Sequence, residues 1–304
     1  MPLQHLVDYF NHRFAKEHSS IFRPFIIKDE KVSGLYGPIR IGSLFSPIRK
    51  ALDPTEIIGH NAQIEVSTYG SHPFYESEIE YLLANNGQQP TNLESIINFD
   101  RLSRTVHMLN YLTLAPVDGT LFLDVDPLHI LGIKHDHGVY FGEVISQCGL
   151  KTSNVVIVLS LHSQYARYYQ KLLAGLANYR HQGYQIALKF NDLSRDNTAL
   201  DLITKLSPNY VSVSAKYLDN SYTDSLFVEA LSELTATVAS VYGQSILHQV
   251  DQKKIDSLAR STHFDLTEGS YYQAIAFNYR GKSRIHERPF VVADRTSSER
   301  SFPD

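Results

Sequence analysis

Short apolar runs alternate along this chain with longer stretches in which apolar residues recur every three or four positions. Several short runs, such as Val155 to Leu159, are apolar at every position, which is typical of a strand covered on both faces in a parallel sheet. The predicted strands are Ser43–Arg49, Glu56–Val66, Thr120–Asp126, Asn154–Ser160, Tyr184–Phe190, Asn209–Ala215, Gln244–Val250 and His263–Gly269.

Three longer stretches have the period of an amphipathic helix. In Ser163–Tyr179 the apolar positions stop before Gly183, a residue that favours a helix end, and Thr223–Val241 stops before Gly243 in the same way. The third stretch covers about Leu93–Tyr111. Because the strands alternate with such helices, the pattern predicts an α/β fold, a TIM-like (β/α) barrel instead of an open sheet.

The barrel is expected to occupy residues 41–281. Residues 1–40 are expected to form an N-terminal extension, with a helix followed by a short strand region. Residues 282–304 are charged and rich in turn-forming residues, which predicts a flexible tail. We find no internal repeat and no low-complexity linker that would divide the chain further.

Composition adds limits on the class of protein. With 304 residues, 43% hydrophobic and 20% charged, the chain can fill a sizeable core. The net charge of -4 argues against coating of nucleic acid or anionic lipid. No segment approaches the roughly 18 consecutive apolar residues of a membrane helix, and the first residues do not resemble a signal peptide. We therefore expect a cytoplasmic protein.

Simple chemical motifs are scarce. The single cysteine, Cys148, ends a predicted amphipathic helix and is expected to be a buried structural thiol. A nucleophile elbow GxSxG, a phosphate loop GxxxxGK[ST] and a dinucleotide motif GxGxxG are all absent.

His135 and His137 flank Asp136 in a segment that is predicted to form a polar turn. Nineteen tyrosines suit either core packing or an interface.

The order of five segments resembles that of the EAL domains, a family of cyclic di-GMP phosphodiesterases. "LFSPIRKALDPTEIIGHNAQIEV" is similar to the family's "FQPIVDLxxGxIVGYEALLR", and "LFLDVDPLHI" to "LxLNLSPxxL". "NVVIVLSLHS" is similar to "LxLEITES", "IALKFNDLSRD" to "IALDDFGTGYS", and "ILHQVDQKKIDSLARSTHFDLTEGSYY" to "VVAEGVETxxQxxxLxxLGCDxxQGYxF". The resemblance covers about Leu44 to Tyr272 and implies a barrel with its chemistry at the carboxyl ends of the strands.

The family hydrolyses cyclic di-GMP with two divalent cations, which need several carboxylate ligands. At those positions Val158 can coordinate nothing, Lys189 brings a positive charge, and Glu65 reverses the charge of an arginine that contacts phosphate. The resemblance therefore predicts no hydrolysis, no metal and no cofactor. The residues that stand at the family's site positions are Ser46, Asn61, Glu65, Asp124, Val158, Lys189, Phe190, Asp192, Ser212, Ser214, His248 and Glu268.

The leading hypothesis is a non-catalytic EAL-like regulatory protein that acts through an unidentified protein partner, with a homodimer suggested by the resemblance. A cyclic di-GMP receptor without hydrolysis is the main alternative. A third is an enzyme with altered chemistry, in which Asp124, Asp192, His248 and Glu268 gather in a new metal site. A nucleic-acid adaptor is disfavoured by the net charge.

Overall fold

Eight strands close into a barrel in the computed structural model, which describes residues 3–17, 23–37, 39–68, 93–114, 119–133, 138–190, 198–217 and 225–273. Their order around the barrel follows the chain, and the last strand pairs back onto the first. The fold class predicted from the sequence is confirmed. The barrel strands are β3 (Ile39–Lys50), β4 (Ile57–Thr68), β5 (Thr120–Val125), β6 (Val155–Leu161), β7 (Gln185–Phe190), β8 (Tyr210–Ser214), β9 (Gln244–His248) and β10 (Leu266–Thr267).

Strand β3 runs opposite to the rest of the barrel. It is antiparallel to both of its barrel neighbours, β4 and β10, whereas the strands from β4 to β10 are mutually parallel. The turn between β3 and β4 therefore lies at the end where the parallel strands begin. The carboxyl ends of the parallel strands all meet at the other end, which we call the mouth.

Helices surround the barrel and lie between consecutive parallel strands. The helix predicted over Leu93–Tyr111 has those bounds, whereas the stretch predicted from Ser163 begins as a short 3₁₀ helix, Ser163–Tyr168, before the α-helix starts. That α-helix ends just before Gly183, whose φ of 89° is one that glycine adopts readily. The barrel helices are α2 (Leu93–Tyr111), α3 (Pro127–Gly132), α4 (Val139–Gln147), α5 (Tyr169–His181), α6 (Thr198–Leu206), α7 (Ser225–Ser240) and α8 (Lys253–Ser261).

Two hydrophobic cores fill the fold. The larger core lies between the barrel and its helices, and a smaller one fills the barrel interior. Period-2 alternation along each strand sends successive side chains to one core and then to the other. The interior core consists of Ile48, Phe122, Val156, Val158, Ala187, Tyr210, Ile246 and Leu266. Cys148, just after α4, is partly buried, and burial raises the pKa of its thiol to about 12.

The N-terminal region adds to the barrel sheet. Helix α1 (Leu3–Glu17) is followed by the hairpin of β1 (Phe25–Lys28) and β2 (Lys31–Tyr36), as the sequence predicts for this region. Strand β2 pairs antiparallel with the first part of β3, and Ile39 already pairs with β4 as well. Strand β3 thus crosses the predicted domain boundary at residue 41. Residues 282–304, the predicted tail, lie outside the described residues.

A buried ionic cluster joins helix α2 to the end of strand β5. Arg104 and Asp100 form an ion pair one helical turn apart, and His129 Nδ1 lies 2.8 Å from Asp100 Oδ2. The other carboxylate oxygen of Asp100 accepts a hydrogen bond of 3.1 Å from the backbone N–H of Asp126, and Arg104 Nη1 donates to Tyr179 Oη at 3.3 Å. Because Arg104 is only 1% exposed, loss of either charge leaves the other buried without its main partner.

We expect Arg104→Met to lower the free energy of unfolding by about 3 kcal/mol or more, because it leaves the Asp100 carboxylate without its main partner. Urea denaturation followed by circular dichroism measures the loss. The control is Lys50→Met, which breaks the exposed Lys50–Glu56 pair and should cost less than about 1 kcal/mol. Equal costs for the two variants would contradict the importance of the buried cluster.

Candidate functional site at the barrel mouth

The parallel strands bring most of the sequence-predicted site residues together at the mouth. Phe122 and Val158 lie in the interior core, so period-2 alternation places Asp124 inward as well, one step nearer the mouth. The same alternation places an inward residue near the end of every other parallel strand. The inward residues at the mouth are Asn61, Asp124, Val158, Lys189, Ser212, His248 and Glu268.

Phe190 is the exception among the predicted site residues. Its side chain, 5% exposed, belongs to the core between the barrel and the helices, on the opposite face of β7 from Lys189. Phe190 therefore does not line the mouth, although it follows Lys189 directly in the chain. The sequence comparison alone gave these two neighbours equal weight.

Glu268 is the centre of one polar group at the mouth. Its carboxylate forms a close contact with His248 Nδ1, and Asn61 Nδ2 lies 3.4 Å from both of its oxygens. Gln63 Nε2 donates to the same carboxylate at 3.4 Å. Sequence analysis missed Gln63, although its position two residues after Asn61 on one strand puts it on the same face.

The ionisation of Glu268 follows from these contacts. Burial raises the pKa of its carboxyl group. The interaction with His248 and the hydrogen bond from Asn61 lower the pKa, with a smaller contribution from Lys189, and together they outweigh the effect of burial. The net result is a pKa below the ordinary value for glutamate. The carboxylate is thus held ionised, which makes it a weak proton acceptor.

Lys189 and Asp124 form a second polar group. Lys189 Nζ lies 3.6 Å from Asp124 Oδ2, and the two residues belong to β7 and β5, on either side of β6. Val158, the β6 partner of Asp124 in the ladder, is 4% exposed. The ion pair therefore spans a strand whose inward side chain at this level is apolar.

Two serines of β8 contribute hydroxyl groups to the inward face of the barrel. Ser214 donates a hydrogen bond to the Gln249 side chain and accepts one from the backbone N–H of Lys216 at 3.2 Å. Ser212 is 1% exposed, and its hydroxyl has no hydrogen-bond partner within the part of the chain that the structure describes. Ser46 on β3 lies opposite Asn61 in the antiparallel ladder.

Glu65 lies further out than the rest of the site. It shares the inward face of β4 with Asn61 and Gln63, but the pairing of β4 with β5 ends at Asn61. Glu65 is exposed and lies over Gly42 on β3, where its Oε2 would be 3.0 Å from an added Cβ. It therefore occupies the outer part of the β3–β4 ribbon, beyond the Lys189–Asp124 pair.

The donor groups at the mouth do not fit a pair of hard cations. Mg²⁺ requires a near-octahedral set of oxygen ligands, whereas Asp124 is engaged by an ammonium group and Glu268 by a histidine. Among the described residues, no group of three or more His, Cys, Asp or Glu side chains is arranged to hold a metal ion. Asp192 and the segment His135–His137, which sequence analysis also considered, lie outside the described residues.

The pKa of Glu268 predicts a pH dependence of stability. Since the folded-state pKa is lowered, the ionised carboxylate stabilises the fold fully above its unfolded value of about 4.3. This contribution is lost as the pH falls through the folded-state pKa. At pH 7 we expect Glu268→Gln to reduce the free energy of unfolding by about 2 kcal/mol.

Urea denaturation of both proteins between pH 7 and pH 3 measures the difference, which should shrink as the carboxyl group of the wild type becomes protonated. Because the other titratable groups are common to both proteins, the comparison reports on Glu268 together with its contact to His248. A difference that stays constant with pH would contradict the assignment.

Comparison with known proteins identifies the fold. No protein-family model and no curated protein sequence matches the chain. Among solved structures, it matches Klebsiella pneumoniae BlrP1 in a manganese and cyclic di-GMP complex at 17% identity and a TM-score of 0.60, over 77% of this chain and 55% of that one. It matches the Bacillus subtilis YkuI protein, with an EAL domain and in complex with substrate c-di-GMP and calcium, at 17% identity and a TM-score of 0.58.

The YkuI match covers 76% of this chain and 54% of that one, so the chain corresponds to about half the length of these first two proteins. The Xanthomonas citri FimX EAL domain in complex with c-diGMP matches at 10% identity and a TM-score of 0.62, over 88% of this chain and 92% of that one. None of the described helices is both long and apolar enough to cross a membrane. The chain has the barrel fold of the EAL domains.

Proposed function

We propose that this chain is a non-catalytic EAL-like regulatory protein that acts by contact with a protein partner. The observation that carries the proposal is the Lys189–Asp124 ion pair across β6, where Val158 offers no ligand atom. An ammonium group at this point repels a divalent cation and occupies a carboxylate that the cation would need.

The remaining polar groups at the mouth also support a non-catalytic role. Hydrolysis of a phosphodiester requires an activated water, produced by a metal ion or by a general base. Glu268 is engaged with His248 and has a lowered pKa, so it accepts a proton poorly. Asp124 is likewise paired, with Lys189. The altered-chemistry alternative from sequence analysis therefore receives no support from the contacts of Asp124, His248 and Glu268.

The N-terminal region supports a role in binding. Strands β1 and β2 extend the β3–β4 ribbon beyond the barrel, and α1 packs on this extension. This addition gives the chain a surface that is not required to close the barrel. We place protein contact on surfaces of this kind, away from the polar groups at the mouth.

The first test titrates the purified protein calorimetrically with cyclic di-GMP in the presence of Mg²⁺ or Mn²⁺ and then analyses the nucleotide for linear product. We expect no heat of binding and no turnover above the protein-free control. Lys189→Met should also lack turnover, because Val158 still provides no ligand. An EAL domain that hydrolyses the nucleotide under the same conditions serves as the positive control, and turnover by the wild type would overturn the proposal.

Binding without turnover is the alternative outcome and would make the chain a receptor. One observation favours it: Lys189 provides a cation at the mouth that a phosphate oxygen could contact in place of Asp124. A Klebsiella pneumoniae BlrP1 complex with FMN and cyclic diGMP contains no metal ions. In that case Lys189→Met should weaken binding about tenfold, the size of one charge-assisted hydrogen bond.

The second test concerns the partner itself. The folded full chain is used as bait in affinity capture, followed by purification of any candidate and measurement of its dissociation constant. We expect that the double variant Lys189→Met and Asp124→Asn, which removes both charges of the mouth pair, retains the partner within about twofold. Absence of any specific partner with folded bait would contradict the proposal, and loss of binding in the double variant would move the contact to the mouth.

A further inference from the structure

One side of strand β4 lacks a neighbouring strand over its second half. The pairing of β4 with the parallel strand β5 covers residues 59–61 and then ends, whereas the pairing with β3 on the other side continues to Thr68. None of the other strands that the structure describes pairs with residues 62–68. We call this unpaired side of residues 62–68 the free edge of β4.

The free edge offers backbone hydrogen-bonding groups to an added strand. In antiparallel pairing with β3, alternate residues direct both the N–H and the C=O toward β3, and the residues between them direct both groups away. About half of the residues 62–68, roughly three, therefore present these groups at the free edge. A segment that binds there in an extended conformation gains about six backbone hydrogen bonds.

The opposite edge of the same part of the sheet is protected. There β1 is the outermost strand, and the side-chain amide of Asn11 on α1 pairs with the backbone of Phe25. Asn11 Nδ2 donates to the Phe25 carbonyl at 2.8 Å, and Asn11 Oδ1 accepts from the Phe25 N–H at 2.9 Å. This amide occupies the positions that a further strand would use. In the described part of the chain, no side chain protects the free edge of β4 in this way. Unprotected edges are the sites where sheets accept further strands.

Apolar side chains lie along one face of the free edge. Ile64 and Val66 share this face because side chains alternate along a strand, and Val66 packs against the edge of the larger core. The Ile64 side chain is 42% exposed, which makes it one of the few large apolar side chains at the surface. An added strand therefore needs apolar side chains beside Ile64 and Val66.

The other face of the free edge is acidic. Glu65 is exposed and forms no ion pair among the described residues. Arg40 lies on the same face, but on β3 and opposite Ser67, and it does not pair with Glu65. Asp124 on β5 is already paired with Lys189. Since opposite charges on neighbouring strands attract, an added strand fits best with a basic side chain beside Glu65.

We propose that the free edge of β4 binds an extended segment of the partner protein in which apolar side chains alternate with lysine or arginine. The inference rests on the proposed function, because it names the surface and the chemistry through which the partner binds. The backbone groups of the free edge provide affinity for any extended segment, and Ile64 and Glu65 provide specificity for the alternating one.

The first experiment uses a phage-displayed library of random peptides of about ten residues, enough to cover the free edge. With the folded full chain as bait, we expect the selected peptides to alternate apolar and basic residues. With Glu65→Lys as bait, acidic residues should replace the basic ones, because like charges on neighbouring strands repel. Selected peptides without alternation, or the same charge preference for both baits, would overturn the proposal.

The second experiment measures the dissociation constant of one selected peptide by fluorescence anisotropy. Ile64→Lys should weaken binding at least tenfold, because it replaces an apolar contact with a charge that also repels the basic peptide. The matched control is Ile57→Lys, since Ile57 is 45% exposed and lies at the other end of the same strand, where it should leave binding unchanged. Circular dichroism confirms that both variants are folded. Equal effects of the two substitutions would contradict a site at the free edge.

The same variants separate this inference from the proposed function. Once a partner is purified, Ile64→Lys should weaken its binding at least tenfold, and a partner that binds the wild type and Ile64→Lys equally would overturn the inference while the proposed function stands. Self-association of the wild type that Ile64→Lys abolishes would also overturn it, because the occupant would then be a second copy. Turnover of cyclic di-GMP contradicts the proposed function instead, since it reports on the mouth.

Discussion

Closure of the barrel depends on the pairing of its two-residue last strand with the antiparallel strand β3. Leu266 and Thr267 provide the whole of β10, and each pairs with β9 on one side and β3 on the other. Backbone and side-chain contacts reinforce this narrow seam, including the hydrogen bonds of Asp265 to both neighbours. Two residues after β10, a Cβ on Gly269 would lie 2.1 Å from the carbonyl oxygen of Val250, so the close approach of the two segments requires glycine.

The polar groups at the mouth belong to the same closure. Glu268 leaves the seam and contacts His248 on β9 and Asn61 on β4, so a single carboxylate connects strands on both sides of β3. The Lys189–Asp124 pair makes a similar connection across β6. Because these groups satisfy one another, the arrangement supports the proposal of a non-catalytic protein that acts through a protein partner.

The sequence predicted the order of strands and helices because hydrophobic periodicity reports which side chains are covered. It could not predict the direction of β3, since period-2 patterns are the same for parallel and antiparallel pairing. The spacing of Asp100 and Arg104 is that of an ordinary surface pair on a helix, and only packing in the fold reveals its burial. Likewise, the family motif identified Lys189 and Phe190 together, but the pleat of β7 sends them to opposite sides.

The ion pair across β6 makes the chemistry of the mouth resistant to change by single substitutions. Val158→Glu alone would place a second carboxylate beside Asp124, where the two would compete for the Lys189 ammonium group, and Lys189→Asp alone would remove the counter-ion of Asp124 and add another negative charge. We expect each of these single variants to be less stable than the starting protein. Conversion of this barrel into a cation-binding one therefore requires several coordinated replacements. A library that varies one position at a time would not contain such a variant.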